Sequence, residues 1–157
     1  MPEEGPEYGA PPQIKPKVLG DYLEVMSKSV FQSGMSWKVI DAKWEGIREA
    51  FDGFDAESVA KMGDREIDSL TKDTRVIRNR RKLEAIVENA NRMIELETEH
   101  GSFRSYLRSL GDFEATVAAL RKQFKFLGET GSYGFLYIVG EPVPPHDEWR
   151  ASSQTKP

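Results

Sequence analysis

The stretch RVIRNRRKLEAIVENANRMIELE, residues 75–97, carries two signals in one run. Its first eight residues, Arg75 to Lys82, hold five cations and no anion. Its remainder sets Leu83, Ile86, Val87, Ala90 and Ile94 at three- and four-residue steps, a single apolar stripe on a helix. The spacing predicts a long helix over 79–99, ended by Gly101. Ahead of it, Asp64 opens a short helix with Ile67 and Leu70, and a tight connection over 72–77 joins the two. A short helix, a tight turn and a second helix can aim backbone N–H groups and a positive helix end at a phosphate. Cations at the start of a helix oppose its dipole, so something negative must offset them. Two candidates stand open on the local pattern: a phosphate, or the nearby carboxylates of Asp64, Glu66, Asp68 and Asp73.

Working outward, the same periodicity recurs. Leu19, Tyr22, Leu23, Met26 and Val30 predict a helix over 18–31. Ser36 is placed to cap the next, which runs through Trp37, Ile40, Trp44, Ile47 and Phe51. Asp55 can cap a short helix holding Val59 and Met62. Beyond Gly101, amphipathic segments carry Phe103, Tyr106 and Leu107, then Phe113, Val117, Leu120 and Phe124, and 132–139 reads as a buried helix. No sustained alternation or hairpin dipeptide suggests strands. The fold class is all-α, an irregular helical bundle. Residues 1–17 hold five of the nine prolines and form an extended N-terminal arm; 18–140 form the helical domain; 141–157 form an irregular C-terminal tail.

Composition narrows the function. The chain has 157 residues, 38% hydrophobic and 31% charged, with a net charge of −4. That is one domain with a proper core. No run approaches the ~18 apolar residues of a spanning helix, and MPEEGPEYGAPPQ lacks the apolar core of a signal peptide. A cytoplasmic protein without membrane association is expected. The absence of cysteine excludes disulfides, thiol nucleophiles and Cys-ligated zinc. His100 and His146 are too far apart to pair on a helix, so no metal and no cofactor is expected. Removing the five cations of 75–82 leaves −9 on the rest of the chain, a local basic patch on an acidic body.

Two other segments could carry chemistry. Gln32-Ser33-Gly34-Met35-Ser36-Trp37 surrounds a helix break, where an indole could stack on a planar, cationic base or simply fill the core. In FKFLGETGSYGF, 124–135, the glycines Gly128, Gly131 and Gly134 allow close approach and Tyr133 offers an aromatic face; tight helix packing is the plainer reading. No nucleophile–base pair is visible.

Five segments, in order along the chain, resemble the 3-methyladenine DNA glycosylase I family of the helix-hairpin-helix superfamily. Glu7-Tyr8-Gly9-Ala10-Pro11 resembles its EWG-x-P segment, and Gln32 to Trp37 its Q-x-G-L-S-W segment. Phe54 to Met62 resembles F-D-x-x-x-V-A-x-M, and Val76 to Leu83 resembles the hairpin segment I-I-R-x-R-x-K-I. Phe124 to Thr130 followed by Tyr133 to Leu136 resembles F-K-F-V-G-x-T…Y-x-F-M. The resemblance implies a helix-hairpin-helix glycosylase fold and a monofunctional base-excision repair enzyme. Such an enzyme flips an alkylated, 3-methyladenine-like base out of double-stranded DNA and hydrolyses its N-glycosidic bond. It implies a base pocket of Tyr8, Ser29, Gln32, Trp37 and Tyr133, and DNA contacts from Arg75, Arg78, Asn79, Arg80 and Lys82, in a protein acting as a monomer. Departures bear on that reading. The family's pocket Glu, eight residues before the Trp, is Ser29 here, so the catalytic residue is not assigned. Its zinc ligands are missing with the cysteines, and Arg75 stands where the hairpin has glycine. The alternative is a non-catalytic relative that recognises damaged or distorted duplex.

Overall fold

The computed structural model describes residues 13–33 and 35–145. Tyr8, Gly34 and His146 therefore lie outside the described residues. The elements are α1 (Leu19–Gln32), α2 (Trp37–Ala50), a 3₁₀ turn (Asp52–Phe54), α3 (Ala56–Ala60), α4 (Asp64–Leu70), α5 (Arg80–His100), α6 (Phe103–Arg108), α7 (Phe113–Gln123) and α8 (Glu129–Ile138). Among the described residues there is no strand. The all-α reading holds.

Helix starts follow local chemistry. Ser36, Asp55, Asn79, Ser102 and Asp112 each accept a backbone N–H from the first turn they precede. At the starts of α1 and α4, where the capping position is Val18 or Gly63, an acid three residues on reaches back. Asp21 accepts from the N–H groups of Lys17 and Val18, and Glu66 from that of Gly63. At the far end of α5, Gly101 takes φ 86°, a conformation that L side chains resist.

The long helix α5 is the spine, with α1, α3, α4 and α6 packed on it, while α1 also packs on α8. Leu23, Met26, Val30 and Phe31 of α1 meet Leu83, Ile86, Ala90 and Met93 of α5 in one continuous core. Removing a fully buried aromatic such as Phe31 would cost about 3–5 kcal/mol. Trp44, Phe54 and Phe51 form a parallel ring stack, with centroids 5.4 and 5.2 Å apart. Phe54 adopts φ 60° and is fully buried. A Cβ at Gly20 would lie 2.4 Å from the Phe54 carbonyl oxygen, so α1 reaches that turn only with glycine there.

Candidate nucleic-acid interface

The bend between α4 and α5 is anchored from within and held from outside. Val76 is buried and Ile77 packs half-buried on the core, while Lys72, Thr74, Arg75 and Arg78 around them are exposed. Lys43 of α2 donates to the Thr74 carbonyl at 3.3 Å, and the Arg75 stem lies against Gly46 of the same helix. Asn79 is committed to capping α5 through the Lys82 N–H.

The five cations of 75–82 divide into three groups. Arg75 donates to Asp73 through its backbone N–H, Nε and terminal nitrogen, at 2.7–3.2 Å, and lies 3.8 Å from Glu49. Those guanidinium and backbone donors hold the Asp73 carboxyl below its ordinary range. Arg80 pairs with Asp68 and with Glu84, and has Asp64 4.0 Å away. For these two residues the neighbouring carboxylates supply the offsetting charge; Glu66 is spent on its cap. Arg78 and Arg81 are exposed, and among the described residues no carboxylate pairs with either.

Lys82 departs from the expected phosphate contact. Its side chain is buried, and its ammonium donates to the carbonyls of Phe31 (3.1 Å) and Ser33 (2.6 Å). Burial pushes its pKa down. These carbonyls belong to the end of α1, which has no basic residue in its own last turn. Lys82 thus closes the negative end of α1 from a neighbouring helix. It ties the cation-rich bend to the turn that carries Gln32 and Trp37.

That turn is also held locally. Gln32 donates from Nε2 to the Met35 carbonyl at 3.0 Å and accepts the Met35 N–H at 2.7 Å through its own carbonyl. Trp37 opens α2 and is 38% exposed, which excludes the core-filling alternative. The core tryptophan here is Trp44, whose indole N–H donates to Glu24. Lys28 lies 5.8 Å from the Trp37 ring centroid and is neutralised by Asp41 at 2.8 Å.

The remaining predicted pocket residues sit deeper. Ser29 is buried on α1, and its Cβ would be 3.8 Å from a Cβ at Gly131 of α8. Of Gly128, Gly131 and Gly134, only Gly131 has close neighbours, so the packing reading holds for one of the three. Tyr133 is 3% exposed; its hydroxyl donates to the Pro144 carbonyl at 2.6 Å and its ring meets Phe113 edge-on. It is a covered ring and not an open wall beside Trp37; a base could reach it only by displacing its neighbours. Burial raises its pKa.

One residue escaped the sequence reading. Asn89, buried on α5, donates to the Lys125 carbonyl (3.2 Å) and accepts the Lys125 N–H (2.8 Å), fixing the α7–α8 connection. The available signal was a polar residue interrupting the apolar face of α5. Among the described residues no group of His, Cys, Asp and Glu is placed to hold a metal, and no helix is long and apolar enough to cross a membrane.

The helical bundle, with an outward cationic bend ahead of its longest helix tied to the turn that carries an exposed indole, has the fold of solved helical DNA glycosylases. Solved structures of that class match it. A 3-methyladenine DNA glycosylase I in complex with 3-methyladenine superposes with a TM-score of 0.71 at 28% identity, over 83% of this chain and 80% of that one. The Staphylococcus aureus 3-methyladenine DNA glycosylase I gives a TM-score of 0.70 at 28% identity, over 83% and 79%. Residues 19–130 match the methyladenine glycosylase family, and the chain belongs to that family. It is 33% identical over 130 residues to DNA-3-methyladenine glycosylase of Haemophilus influenzae, covering 69% of this chain and 70% of that protein. It is 28% identical over 155 residues to DNA-3-methyladenine glycosylase 1 of Escherichia coli K12, covering 85% and 81%.

Proposed function

We propose that this protein is a monofunctional DNA glycosylase that everts an alkylated base from duplex DNA and hydrolyses its N-glycosidic bond. The observation that carries the reading is the match to the methyladenine glycosylases along most of the chain, with Trp37 held at the surface beside the turn that Lys82 fixes. A 3-alkylated adenine is cationic, so its bond to C1′ is already weak. Water attacks C1′, the C1′–N9 bond breaks, its electron pair neutralises the departing base, and the water proton passes to solvent. The protein then needs mainly to bind the everted cation and order the water. An indole face supplies attraction for such a ring without a formal charge. Ser29 can contribute a hydrogen bond but no negative charge. This favours a weaker preference for cationic bases, and it also supports the second reading, a relative that binds damaged duplex without cleaving it.

The experiment is release of free base from methylated duplex by the purified chain, against a heat-inactivated control. Release establishes the enzyme; binding without release leaves the second reading. Trp37→Ala is expected to abolish release while sparing affinity for undamaged duplex. Unchanged release would show that Trp37 does not receive the base. On the same reading Arg78 and Arg81 meet backbone phosphate, the protein acts as a monomer, and its place is the cytoplasm with the DNA.

A further inference from the structure

Two phenylalanines adopt left-handed backbone conformations, Phe54 at φ 60° and Phe126 at φ 57°. A side chain in that region is energetically costly and persists only where its surroundings hold it there. Phe54 is held by burial: it is fully enclosed and stacked on Phe51 and Trp44. Phe126 has no such return. It is 40% exposed, and among the described residues no aromatic ring pairs with it. Its neighbours Phe124 and Leu127 are both buried, and Asn89 grips both polar groups of the Lys125 backbone. The connection is therefore rigid, yet it turns an aromatic ring into solvent.

The charge of the segment that carries that ring is one-sided. Between Glu114 and Glu129 the chain holds Arg121, Lys122 and Lys125 and no acid. All three are exposed, and among the described residues none is paired with a carboxylate. Position adds to charge. Asn89 lies seven residues after Lys82, two helical turns and ~10 Å along the same face of α5. The connection thus docks on the face of α5 that also holds the end of α1. A Cβ at Gly131, just past the connection, would lie 3.3 Å from Leu127 and 3.8 Å from Ser29.

We propose that the α7–α8 connection is a second nucleic-acid contact, in which Phe126 stacks on a base of the duplex while Arg121, Lys122 and Lys125 meet its phosphates. Cations interleaved with an exposed ring suit a base beside a backbone, because the ring stacks on any base face and the cations release phosphate counterions. Rigid presentation keeps the ring from folding onto the protein. This rests on the reading of the protein as DNA-binding, but not on its catalysis.

The test is binding of the full chain to a duplex with one tetrahydrofuran abasic site flanked by 2-aminopurine. Phe126→Ala is expected to weaken binding ~5- to 100-fold and to abolish the protein-induced change in 2-aminopurine fluorescence, with Phe126→Trp restoring both. Replacing Arg121, Lys122 and Lys125 by Gln is expected to lower the salt slope by ~2–3. Phe126→Gly, freed of the left-handed penalty, is expected to melt no lower than the wild type while sharing the binding loss. Wild-type affinity in Phe126→Ala, an unaltered salt slope in the triple variant, or a lower melting temperature in Phe126→Gly would each overturn the proposal. A wild type that binds in a Phe126-dependent way but frees no base removes the excision reading alone. A wild type that frees base with no dependence on Phe126 removes this one alone.

Discussion

The bend between α4 and α5 and the connection between α7 and α8 are both docked on α5, and they use charge in opposite ways. The bend is the more cationic by sequence, with five cations in eight residues. Most are already engaged: Arg75 and Arg80 by carboxylates, Lys82 by carbonyls inside the protein. Two remain, Arg78 and Arg81. The connection holds only three cations, and all three face solvent without a partner among the described residues. Charge density along a chain is thus a poor measure of charge offered to a ligand. A bend flanked by Asp64, Asp68 and Asp73 is partly neutralised before any phosphate arrives, whereas Arg121, Lys122 and Lys125 have no carboxylate partner among the described residues. The two also differ in what fixes them: ion pairs at the surface and one buried ammonium for the bend, one buried amide for the connection.

The sharpest way to separate structural from offered charge is Lys82→Met. The variant keeps the stem's bulk and leaves the Phe31 and Ser33 carbonyls without their donor. Leaving buried acceptors unsatisfied costs about 1–3 kcal/mol each, so a loss of ~2–4 kcal/mol in urea unfolding is expected. This would be the largest effect in either region, with little change in the salt slope of DNA binding. A steep loss of salt dependence with full stability would instead return Lys82 to the phosphate contacts. The pH dependence has a defined sign. Burial lowers the folded pKa below the ordinary 10.5, so below the lowered value both states are protonated and the desolvation penalty is fully present. Between that value and 10.5 the unfolded chain binds more protons, and stability gained through this group rises with pH. The wild type should therefore gain on Lys82→Met as pH climbs toward 10.5.

Next in size is Asn89→Leu, which removes the one amide that fixes the connection. The Lys125 N–H and carbonyl lose their partners, and ~1–3 kcal/mol of stability should go with them. Hydrogen exchange should rise across 124–128 and stay unchanged across 71–79. Asn89→Asp sharpens the result: an ionised carboxylate accepts from the Lys125 N–H but repels its carbonyl and is costly to bury, so it should destabilise at least as much as Asn89→Leu. Equal exchange rates in wild type and Asn89→Leu would show that Phe124 and Leu127 alone fix the connection.

How far the sequence could be read follows the same division. Helix positions were legible because apolar residues fall on three- and four-residue steps and because Ser36 and Asp55 announce their helices by side-chain chemistry alone. The cationic bend was legible as composition, but the partition of its charges was not. Whether Arg80 meets a phosphate or Asp68 depends on α4 lying back against α5, a packing distance with no local sign. The internal partners of Lys82 were hidden for the same reason, since its carbonyl partners are 49 and 51 residues away. Tyr133 carried the right residue type for a base pocket, yet the Pro144 carbonyl that covers its hydroxyl comes from a segment with no periodic signal. Trp37 and Trp44 look alike on one helix stripe; only the stack with Phe54 separates the core indole from the exposed one.

The smallest effects test the division among the arginines themselves. Arg78→Ala should weaken binding to every duplex sequence alike and reduce the salt slope by ~1. Arg80→Ala should change the slope less, because a guanidinium held by Asp68 and Glu84 must first surrender those partners to gain a phosphate. Asp68→Asn is the decisive companion. It removes one of the two carboxylates that hold Arg80 and leaves Glu84, without touching a predicted DNA contact, so it should raise affinity and steepen the salt slope, and Arg80→Ala in that background should then cost more than it does in the wild type. If Asp68→Asn leaves binding unchanged while Arg80→Ala alone flattens the slope, the ion pair opens without resistance when DNA arrives. The bend would then offer a third cation, and its contrast with the connection would narrow accordingly.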